Sequence, residues 1–391
     1  MTQHNESSVL FLSPQPFFEW RGSPIRVLYD LKTLSEMGFS VDLITMPVGE
    51  DKIIPKVKIH RLINWFGITS LPIGISFKKF VLDFFLLCKA LQLSFQKRYD
   101  VIVGVEDAGI IAYLASKIRG SKCVFEKHSD YASYLKAGHH IKNTALWLYG
   151  CVEKFVIRHA DAIIVTGPGL AEQTLSIGLK NNVFTIHDPP SSDIESGKEN
   201  ENRVRERLQI KSGECVIMYV GSFAIYQGIN LLFESIPHVL TRCTNAKWIV
   251  IGGSEEEINK KKEWLRTKGV QDHVSFTGKV APEKLPEILS ISDILLSPRI
   301  SGENTPLKLL DYLKAGKTII ATDIKANRWI VDENTALLVK PEPESFARGI
   351  IQAIENEPLR RNLGENARKL YEQKFSFTEF KKKMKECYLG H

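Results

Sequence analysis

The sequence has few cysteines and spaces them widely. Its 391 residues include six cysteines, and no two of them form a Cys-x-x-Cys pair. A disulfide framework would need a denser set, and a zinc site would bring its ligands in close pairs, so the spacing favours neither. We expect buried or incidental thiols in a reducing compartment. The polar amino terminus, MTQHNESSVLFL, does not resemble a signal peptide.

Long hydrophobic runs and low-complexity segments are also missing. The uncharged stretch from Leu62 to Phe77 has 16 residues and is broken by Asn64, Gly67 and Pro72. A helix that crosses a bilayer needs ~20 apolar residues. With 43% hydrophobic residues but only 26 Gly and 17 Pro, the chain is neither disordered nor collagen-like. We expect a cytoplasmic protein, attached at most peripherally to the inner face of a membrane.

Neither positive nor negative charge is concentrated in one part of the sequence. The 52 Lys and Arg exceed the 45 Asp and Glu by seven. This diffuse excess permits contact with phosphates or an anionic membrane surface, whereas nucleic-acid binding requires a sharper basic patch. No Asp-x-Asp occurs, and His139-His140 has no partners at metal-ligand spacing. We therefore expect no metal and no nucleic-acid partner.

What the sequence does contain is an alternation of apolar, β-branched runs with segments of helical period. This alternation predicts an α/β fold of doubly wound parallel sheets. It lapses over a Pro-Pro-Ser-Ser sequence and a charged stretch, SGKENENRVRERL, and then restarts. We predict an amino-terminal Rossmann-like domain over 1–190, an exposed linker over 191–213 and a second Rossmann-like domain over 214–370. Two such domains imply a cleft that binds a ligand.

The segment most informative about chemistry is PRISGENTPLKLLDYLKAGKTIIATD, residues 298–323. Thr305 as N-cap, Pro306 at the first helical position and Gly316 past the last turn predict a helix over 306–315. The free N–H groups and dipole at its amino end suit a diphosphate.

On that helix, Lys308 and Asp311 are three residues apart and share a face. Lys308 would hold phosphates, Asp311 would bind ribose hydroxyls, and Glu303 in the preceding loop would bind hydroxyls of a sugar. The alternative is that Lys308 and Asp311 form a surface ion pair and Glu303 is solvated. The residues alone leave both alternatives open.

The same run resembles the carboxyl-terminal domain of the family 4 glycosyltransferases, which are retaining enzymes of the GT-B fold. Their signature, Glu-x7-Glu followed by Gly and an apolar strand, is matched by Glu303-x7-Asp311, Gly316 and TIIATD. A variant with Pro-x-Lys-Leu-x-Glu-Tyr-Leu is matched by PLKLLDYL, residues 306–313. Asp311 keeps the charge of the second Glu with a reach shorter by one methylene.

Other segments resemble the family in order and spacing. The run YVGSFAIYQGINLLFESI, residues 219–236, resembles the first strand and phosphate loop of this domain. The common form has Arg and Lys where this chain has Ser222 and Gln227, so two usual phosphate cations are absent. The family's Gly-Ser-Phe subgroup shares this loss, and Lys308 and the helix end would then carry more of the phosphate charge. Backbone near VSFTGKV, residues 274–280, contacts the base in the family.

The amino-terminal half resembles the family more loosely. Gly22 takes the place of a glycine loop near the donor phosphates and the acceptor. His128, at the end of the strand in VFEKHSDY, takes the position that faces the transferred sugar, although a lone His after a strand is more often structural. The segment 371–391 resembles a terminal helix that returns to the first domain. The resemblance thus implies catalytic roles for His128, Glu303 and Lys308, and donor contacts by Gly22, Gly221, Ser222, Gln227, Gly278, Lys279, Val280, Asn304, Thr305, Pro306, Leu307 and Asp311.

The expected activity is transfer of a sugar, with retention, from a UDP- or GDP-sugar to a hydroxyl of a glycan or lipid-linked acceptor. No metal or cofactor besides the nucleotide sugar is expected, and the leaving diphosphate would accept the acceptor's proton. Synthesis of cell-surface polysaccharide or glycolipid would use such a reaction. Two alternatives are a nucleotide-sugar epimerase of the same fold and a catalytically degenerate partner subunit.

The sequence indicates less about the acceptor than about the donor. Residues 62–98 are apolar with interspersed basic residues, and such a helix can lie on an anionic membrane. A core helix with a solvated basic edge fits the same pattern. The basic residues of this segment are Lys78, Lys79, Lys89, Lys97 and Arg98.

Overall fold

The computed structural model describes residues 7–19, 22–65, 67–69, 77–129, 143–178, 182–195, 201–302 and 305–390. They form two compact units, one of Met1–Asp188 with Phe380–His391 and the other of Pro189–Glu379. Each unit contains one parallel sheet with helices on both faces. The predicted α/β architecture of two Rossmann-like domains is confirmed.

The first unit is built on a seven-stranded sheet of order β3-β2-β1-β4-β5-β6-β7, in which every pairing is parallel. Its strands are β1 Ser8–Ser13, β2 Ser40–Thr45, β3 Val57–Arg61, β4 Val101–Val105, β5 Lys122–Lys127, β6 Ala162–Val165 and β7 Val183–Thr185. Its helices are α1 Gly22–Glu36, α2 Phe77–Gln96, α3 Ala108–Arg119, α4 Asn143–His159 and α5 Pro168–Ser176. Helix α3 ends at Gly120, whose φ of 70° is the left-handed conformation that glycine accepts at a helix end.

The second unit is built on a six-stranded parallel sheet of order β10-β9-β8-β11-β12-β13. Its strands are β8 Cys215–Val220, β9 Ala246–Ile251, β10 Val274–Gly278, β11 Ile294–Ser297, β12 Thr318–Thr322 and β13 Ala336–Val339. Its helices are α6 Glu201–Arg207, α7 Ile229–Leu240, α8 Glu255–Thr267, α9 Leu285–Ser290, α10 Lys308–Ala315, α11 Lys325–Arg328, α12 Pro343–Glu355 and α13 Glu357–Leu370. Short 3-10 turns cover Ile225–Gln227, Gln271–His273 and Pro282–Lys284, and a π-turn covers Tyr371–Phe375.

The core of the second unit has one layer on each face of the sheet. Along β8, Ile217 and Tyr219 enter one apolar cluster, and Val216 and Met218 enter the other. Successive side chains of a strand point to opposite faces, so a strand covered by helices on both sides is apolar at every position. This explains why the strands of this chain appear in the sequence as continuous apolar runs.

The segment predicted as an exposed linker is partly ordered against the second unit. The charged run contains helix α6, and its Val204 is fully buried beside Ile288 and Leu289 of α9. The prediction of a linker over the whole of 191–213 is therefore wrong. One apolar residue among Arg and Glu gave too weak a pattern to predict a helix.

The last helix, α14 Phe377–Leu389, crosses the division of the chain, because Phe380–His391 group with the first unit. Its Phe380 ring lies 4.8 Å below the guanidinium carbon of Arg26, and Lys122 Nζ donates to the carbonyl of Cys387 at 2.9 Å. Within the described ranges, no helix combines the length and apolar character needed to cross a membrane.

Candidate functional site

The strand order of the second unit reverses between β8 and β11. At such a point the loops that follow two neighbouring strands lead to opposite faces of the sheet, and a crevice opens at the carboxyl ends of the strands. Gly221 and Ser222 follow β8, and Pro298 and Arg299 follow β11. The loop 221–228 and the residues after β11 therefore lie where a parallel sheet binds ligands.

Glycines allow these loops to approach one another closely. Gly228 has φ 71°, and a Cβ there would lie 1.7 Å from the carbonyl oxygen of Pro298. Gly221 has φ 150°, and a Cβ there would lie 2.9 Å from Lys308 Nζ. At position 228 only glycine fits without displacing the backbone of Pro298, whereas a Cβ at position 221 would displace the end of the Lys308 side chain.

Lys308 is buried with its ammonium group 4.1 Å from the centre of the Tyr219 ring. Among the described residues, its Nζ has no hydrogen-bond partner. Burial lowers the pKa of Lys308 well below its usual value, and the charge of Arg299 lowers it further. A buried, unpaired cation is costly in a folded protein, and such groups are concentrated at functional sites.

The other predicted residue of this helix, Asp311, is engaged within its own unit. Its two carboxylate oxygens accept from the backbone N–H and the hydroxyl of Ser191, each at 2.7 Å. Burial raises the pKa of Asp311 to about 6, against the effect of the Ser191 hydrogen bonds. Since Lys308 and Asp311 are both buried and Asp311 is bonded to Ser191, the alternative of a surface ion pair is wrong.

Lys314 reinforces the same contact. Its Nζ donates to the carbonyl oxygens of Ser192 at 2.8 Å and Ile194 at 2.7 Å. Asp311 and Lys314 thus hold the segment 191–194 on helix α10. These contacts join positions about 120 residues apart, and no local pattern in the sequence indicates them.

The beginning of helix α10 differs from the prediction. The helix begins at Lys308, with Leu307 as its N-cap and no side-chain capping bond, so Thr305 is not the N-cap. Leu309 N–H donates to the carbonyl of Pro306, and Leu310 N–H donates to that of Leu307. These i to i+3 bonds make a tighter turn of the 3-10 type before the helix. Gly316 ends the helix as predicted, with φ 64°.

Four more of the predicted residues are Ser222, Gln227, Glu303 and Asn304. Glu303 and Asn304 lie outside the described residues. Gln227 ends a 3-10 turn, and its Oε1 is buried without a hydrogen-bond partner in the described ranges. Ser222 is exposed, and its carbonyl accepts from the Tyr219 hydroxyl at 2.7 Å.

Gly278 ends strand β10 and lies beside the same crevice. Its carbonyl accepts from Gly252 N–H at 2.8 Å, and a Cβ at Gly252 would lie 2.0 Å from the carbonyl oxygen of Gly221. The structure therefore brings together the ends of β8, β9 and β10. Lys279 is exposed, and Val280 is partly buried against the core.

Arg299 is a cation of this crevice that no motif in the sequence marked. It is buried, its Nε donates to the carbonyl of Ser301 at 2.8 Å, and its guanidinium carbon lies 5.5 Å from the centre of the Tyr226 ring. The signal that could have identified it is position, because it lies two residues after β11, the strand that pairs with β8 where the strand order reverses.

In the first unit, His128 directly follows β5, as predicted. Its Nδ1 lies 2.5 Å from the Ser23 hydroxyl, and its Nε2 lies 3.1 Å from Glu126 Oε2. Burial, together with the charge of Arg26, lowers the pKa of His128 to about 4, so the ring is neutral at pH 7. Because a carboxylate can only accept, we assign the proton to Nε2 and the acceptor role to Nδ1.

Gly22 is the first residue of helix α1, so it places Ser23 at the amino end of that helix and against His128. Below His128 lies a buried charge network in which Arg26 Nε donates to Asp30 at 2.8 Å. Glu126 also accepts from the Tyr388 hydroxyl of the last helix at 3.4 Å. Neither Arg26 nor Glu126 was predicted, because each is buried inside an otherwise ordinary helix or strand.

This network offers three ligand atoms, from Asp30, Glu126 and His128, within 4.8 Å of one another. The guanidinium of Arg26, already paired with Asp30, supplies positive charge at the same place. Burial raises the pKa of Asp30 to about 7 despite the nearby Arg26, so this carboxyl group holds its proton more readily than usual. A divalent cation would have to displace that proton and lie beside a guanidinium, and we assign no metal here.

Comparison with known proteins identifies the family. Residues 200–370 match the family model of glycosyl transferases group 1, and residues 21–189 match that of glycosyltransferase family 4. The chain belongs to the family 4 glycosyltransferases. Its relatives include an uncharacterized glycosyltransferase of Methanocaldococcus jannaschii, 23% identical over 71% of each chain. They also include the N-acetyl-alpha-D-glucosaminyl L-malate synthase of Bacillus anthracis, 22% identical over 88% of this chain and 87% of that one.

Solved glycosyltransferases share the GT-B fold of this one. Sucrose-phosphate synthase from Thermosynechococcus elongatus superposes with a TM-score of 0.78 at 20% identity, over 98% of each chain. Anabaena HepE, solved with UDP and glucose, superposes with a TM-score of 0.74 at 17% identity, over 98% of this chain and 100% of that one. At these identities the likeness concerns the fold alone.

Proposed function

We propose that this glycosyltransferase transfers a sugar from a nucleotide diphosphate sugar to a hydroxyl acceptor with retention of anomeric configuration. The observation that carries the proposal is the buried, unpartnered ammonium of Lys308 beside Gly221, at the point where the second sheet reverses its strand order. A diphosphate supplies the negative charge that this group lacks. Because HepE of the same fold was solved with UDP, UDP-sugars are the first donors to test.

In the proposed reaction, the leaving diphosphate departs against Lys308 and takes the proton of the acceptor hydroxyl on the same face of the sugar. A preorganised donor at developing negative charge is worth about 3–4 kcal/mol. The charge that a metal ion would supply at the phosphates comes from protein cations, so we propose that no metal is required. Unchanged turnover in excess EDTA is the expected result, and loss of turnover would contradict this part.

The proposed roles of the other predicted residues follow the family pattern. His128, kept neutral by burial and oriented by Glu126, would accept a hydrogen bond at Nδ1, the atom that Ser23 contacts in this structure. Glu303 would bind hydroxyls of the transferred sugar. Asp311 would bind the ribose, and its contact with Ser191 would have to rearrange or be shared for it to do so.

For the acceptor, we propose a lipid-linked molecule at an anionic membrane surface. Helix α2 buries Leu82, Leu86 and Ala90 in the core of the first unit. For that face of the helix, the interpretation of α2 as a core helix therefore holds. The opposite side of the helix leaves Phe80, Phe84 and Phe95 more than half exposed.

Basic residues accompany these rings. Lys78 and Arg98 are exposed, Lys97 is exposed but pairs with Asp42, and Lys89 is partly buried. Lys79 does not belong to this set, because it pairs with Asp83 and Asp107. Exposed aromatic rings beside lysines are the combination that binds the headgroup region of an anionic bilayer.

The test is a donor panel with the purified chain. UDP-sugars and GDP-sugars are incubated with and without a lipid-linked acceptor, and released nucleoside diphosphate and the anomeric configuration of the product are measured. Retained configuration is expected. Interconversion of the donor without an acceptor would instead indicate an epimerase, and no release, transfer or interconversion with any donor would indicate a degenerate partner subunit.

A further inference from the structure

The loop 221–228 carries no cation of its own. Its positions 222 and 227 are Ser and Gln, and the whole segment from Gly221 to Gly228 has no Lys or Arg. Two cations from elsewhere in the second unit nevertheless contact it. Lys308 reaches the Gly221 end of the loop, and Arg299 reaches the Tyr226 end.

The backbone fixes Arg299 at that end of the loop. Ile300 N–H donates to the carbonyl of Tyr226 at 3.0 Å, and the close approach of Gly228 to the carbonyl of Pro298 leaves no room for a Cβ. Arg299 is therefore held between two backbone contacts to the loop, one on each side of it in the sequence. Its side chain is only 4% exposed.

The two cations have no carboxylate partner among the residues that the structure describes. Within the described ranges, neither Arg299 nor Lys308 forms a salt bridge, and the one hydrogen bond of the Arg299 side chain is to the Ser301 carbonyl. Two like charges that act on each other in a buried place are unfavourable unless an anion joins them. The carboxyl ends of β8 and β11 are where an anionic ligand of this sheet would lie.

We propose that Arg299 and Lys308 together form the diphosphate clamp of this enzyme and replace the two absent loop cations. This inference rests on the proposed function and extends it to a residue outside the family signature. The planar guanidinium binds phosphate oxygens in a bidentate manner, and the ammonium adds a point charge. The clamp therefore recognises the second phosphate of the nucleotide, and the enzyme discriminates a nucleoside diphosphate from the monophosphate.

Calorimetric titration of the full chain with UDP, UMP, GDP and GMP tests this clamp. The wild type should bind one diphosphate more tightly than its monophosphate. Arg299→Gln should weaken diphosphate binding ~10-fold or more while monophosphate binding changes little, because charged hydrogen bonds are lost only at the distal phosphate. Arg242→Gln, which removes an exposed arginine paired with Glu355 in the same unit, is the matched control and should bind like the wild type.

Arg299→Lys keeps the charge and loses the bidentate geometry, so it should fall between the wild type and Arg299→Gln. Retained monophosphate binding shows that each variant is folded, and Arg299→Lys carries the test if Arg299→Gln does not fold. An unchanged preference for diphosphate in the variants would overturn the clamp and leave the proposed function standing. Absence of nucleotide binding by the wild type would overturn both.

Discussion

At the scale of single residues, the crevice of the second unit depends on glycines that no other residue can replace. Gly228 combines a left-handed φ of 71° with direct backbone contact to Pro298. Gly269, in a turn of the same unit, has nearly the same φ of 68°, but nothing lies within 4 Å of the position of a Cβ. Alanine substitutions at these two positions therefore distinguish the cost of backbone strain from the cost of steric overlap.

Gly228→Ala should be much more destabilising than Gly269→Ala. The strain of a left-handed alanine costs about 1 kcal/mol, and Gly269→Ala should lose about that much. Gly228→Ala adds an overlap that forces the loop away from β11, and its loss should exceed about 2 kcal/mol. Urea unfolding of both variants measures this difference, and equal losses would mean that the contact with Pro298 does not constrain the loop.

The residue scale also shows what the sequence could and could not predict. Lys308 and His128 were predicted from motifs, and the structure buries both side chains. Arg299, Arg26 and Glu126 were not, because their role depends on which strands are neighbours in the sheet. Strand order follows from the whole chain, and local patterns do not contain it.

At the scale of elements, helix α10 holds the segment that follows the division between the two units. Asp311 and Lys314 bind the backbone of 191–194, so this segment is part of the second unit. The sequence predicted a helix here because Gly316 gave a strong end signal. It misplaced the start, because the tight turn after Pro306 gives the N–H groups of Leu309 and Leu310 backbone acceptors, without a capping side chain.

The buried carboxyl group of Asp311 should make the stability of the second unit depend on pH. Its pKa is about 6 in the folded chain and 3.8 when unperturbed, so the folded state binds the additional proton between these values. This contribution to stability is fully present below pH 3.8 and is lost as the pH rises through 6. We expect the wild type to gain stability relative to Asp311→Asn as the pH is lowered from 7 to 4.

Urea unfolding at several pH values measures this gain. Asp323→Asn is a control. Asp323 is an exposed carboxylate, and its hydrogen bond with Arg328 lowers the pKa of Asp323 instead of raising it. A constant stability difference between the wild type and Asp311→Asn over this pH range would mean that the carboxyl group does not titrate as described.

At the scale of the whole molecule, the repeated α/β pattern was sufficient to predict two parallel-sheet units. The pattern could not predict the residues at which each unit begins and ends, because helix α6 buries only Val204 and the last helix belongs largely to the first unit. Both features depend on tertiary contacts between residues that are far apart in the sequence.

The exposed rings of helix α2 should bind anionic vesicles if the acceptor is lipid-linked. The full chain should float with vesicles containing phosphatidylglycerol at low salt, and less so at high salt because the lysines are screened. Phe80→Ser combined with Phe84→Ser should reduce flotation severalfold, whereas Ile225→Ser, at an exposed apolar residue of the second unit, should not. Failure of the wild type to float at low salt would contradict the membrane proposal.

The measurement that tests the central claim most directly is the thermal unfolding of Lys308→Met with and without UDP and GDP. An unpartnered buried ammonium destabilises the free protein, and a bound diphosphate stabilises it by mass action. We predict that Lys308→Met unfolds at the same or a higher temperature than the wild type without nucleotide, and that it loses the stabilisation that nucleotide gives the wild type. A free variant of lower stability that nucleotide still stabilises as it does the wild type would contradict the assignment of Lys308 to the diphosphate.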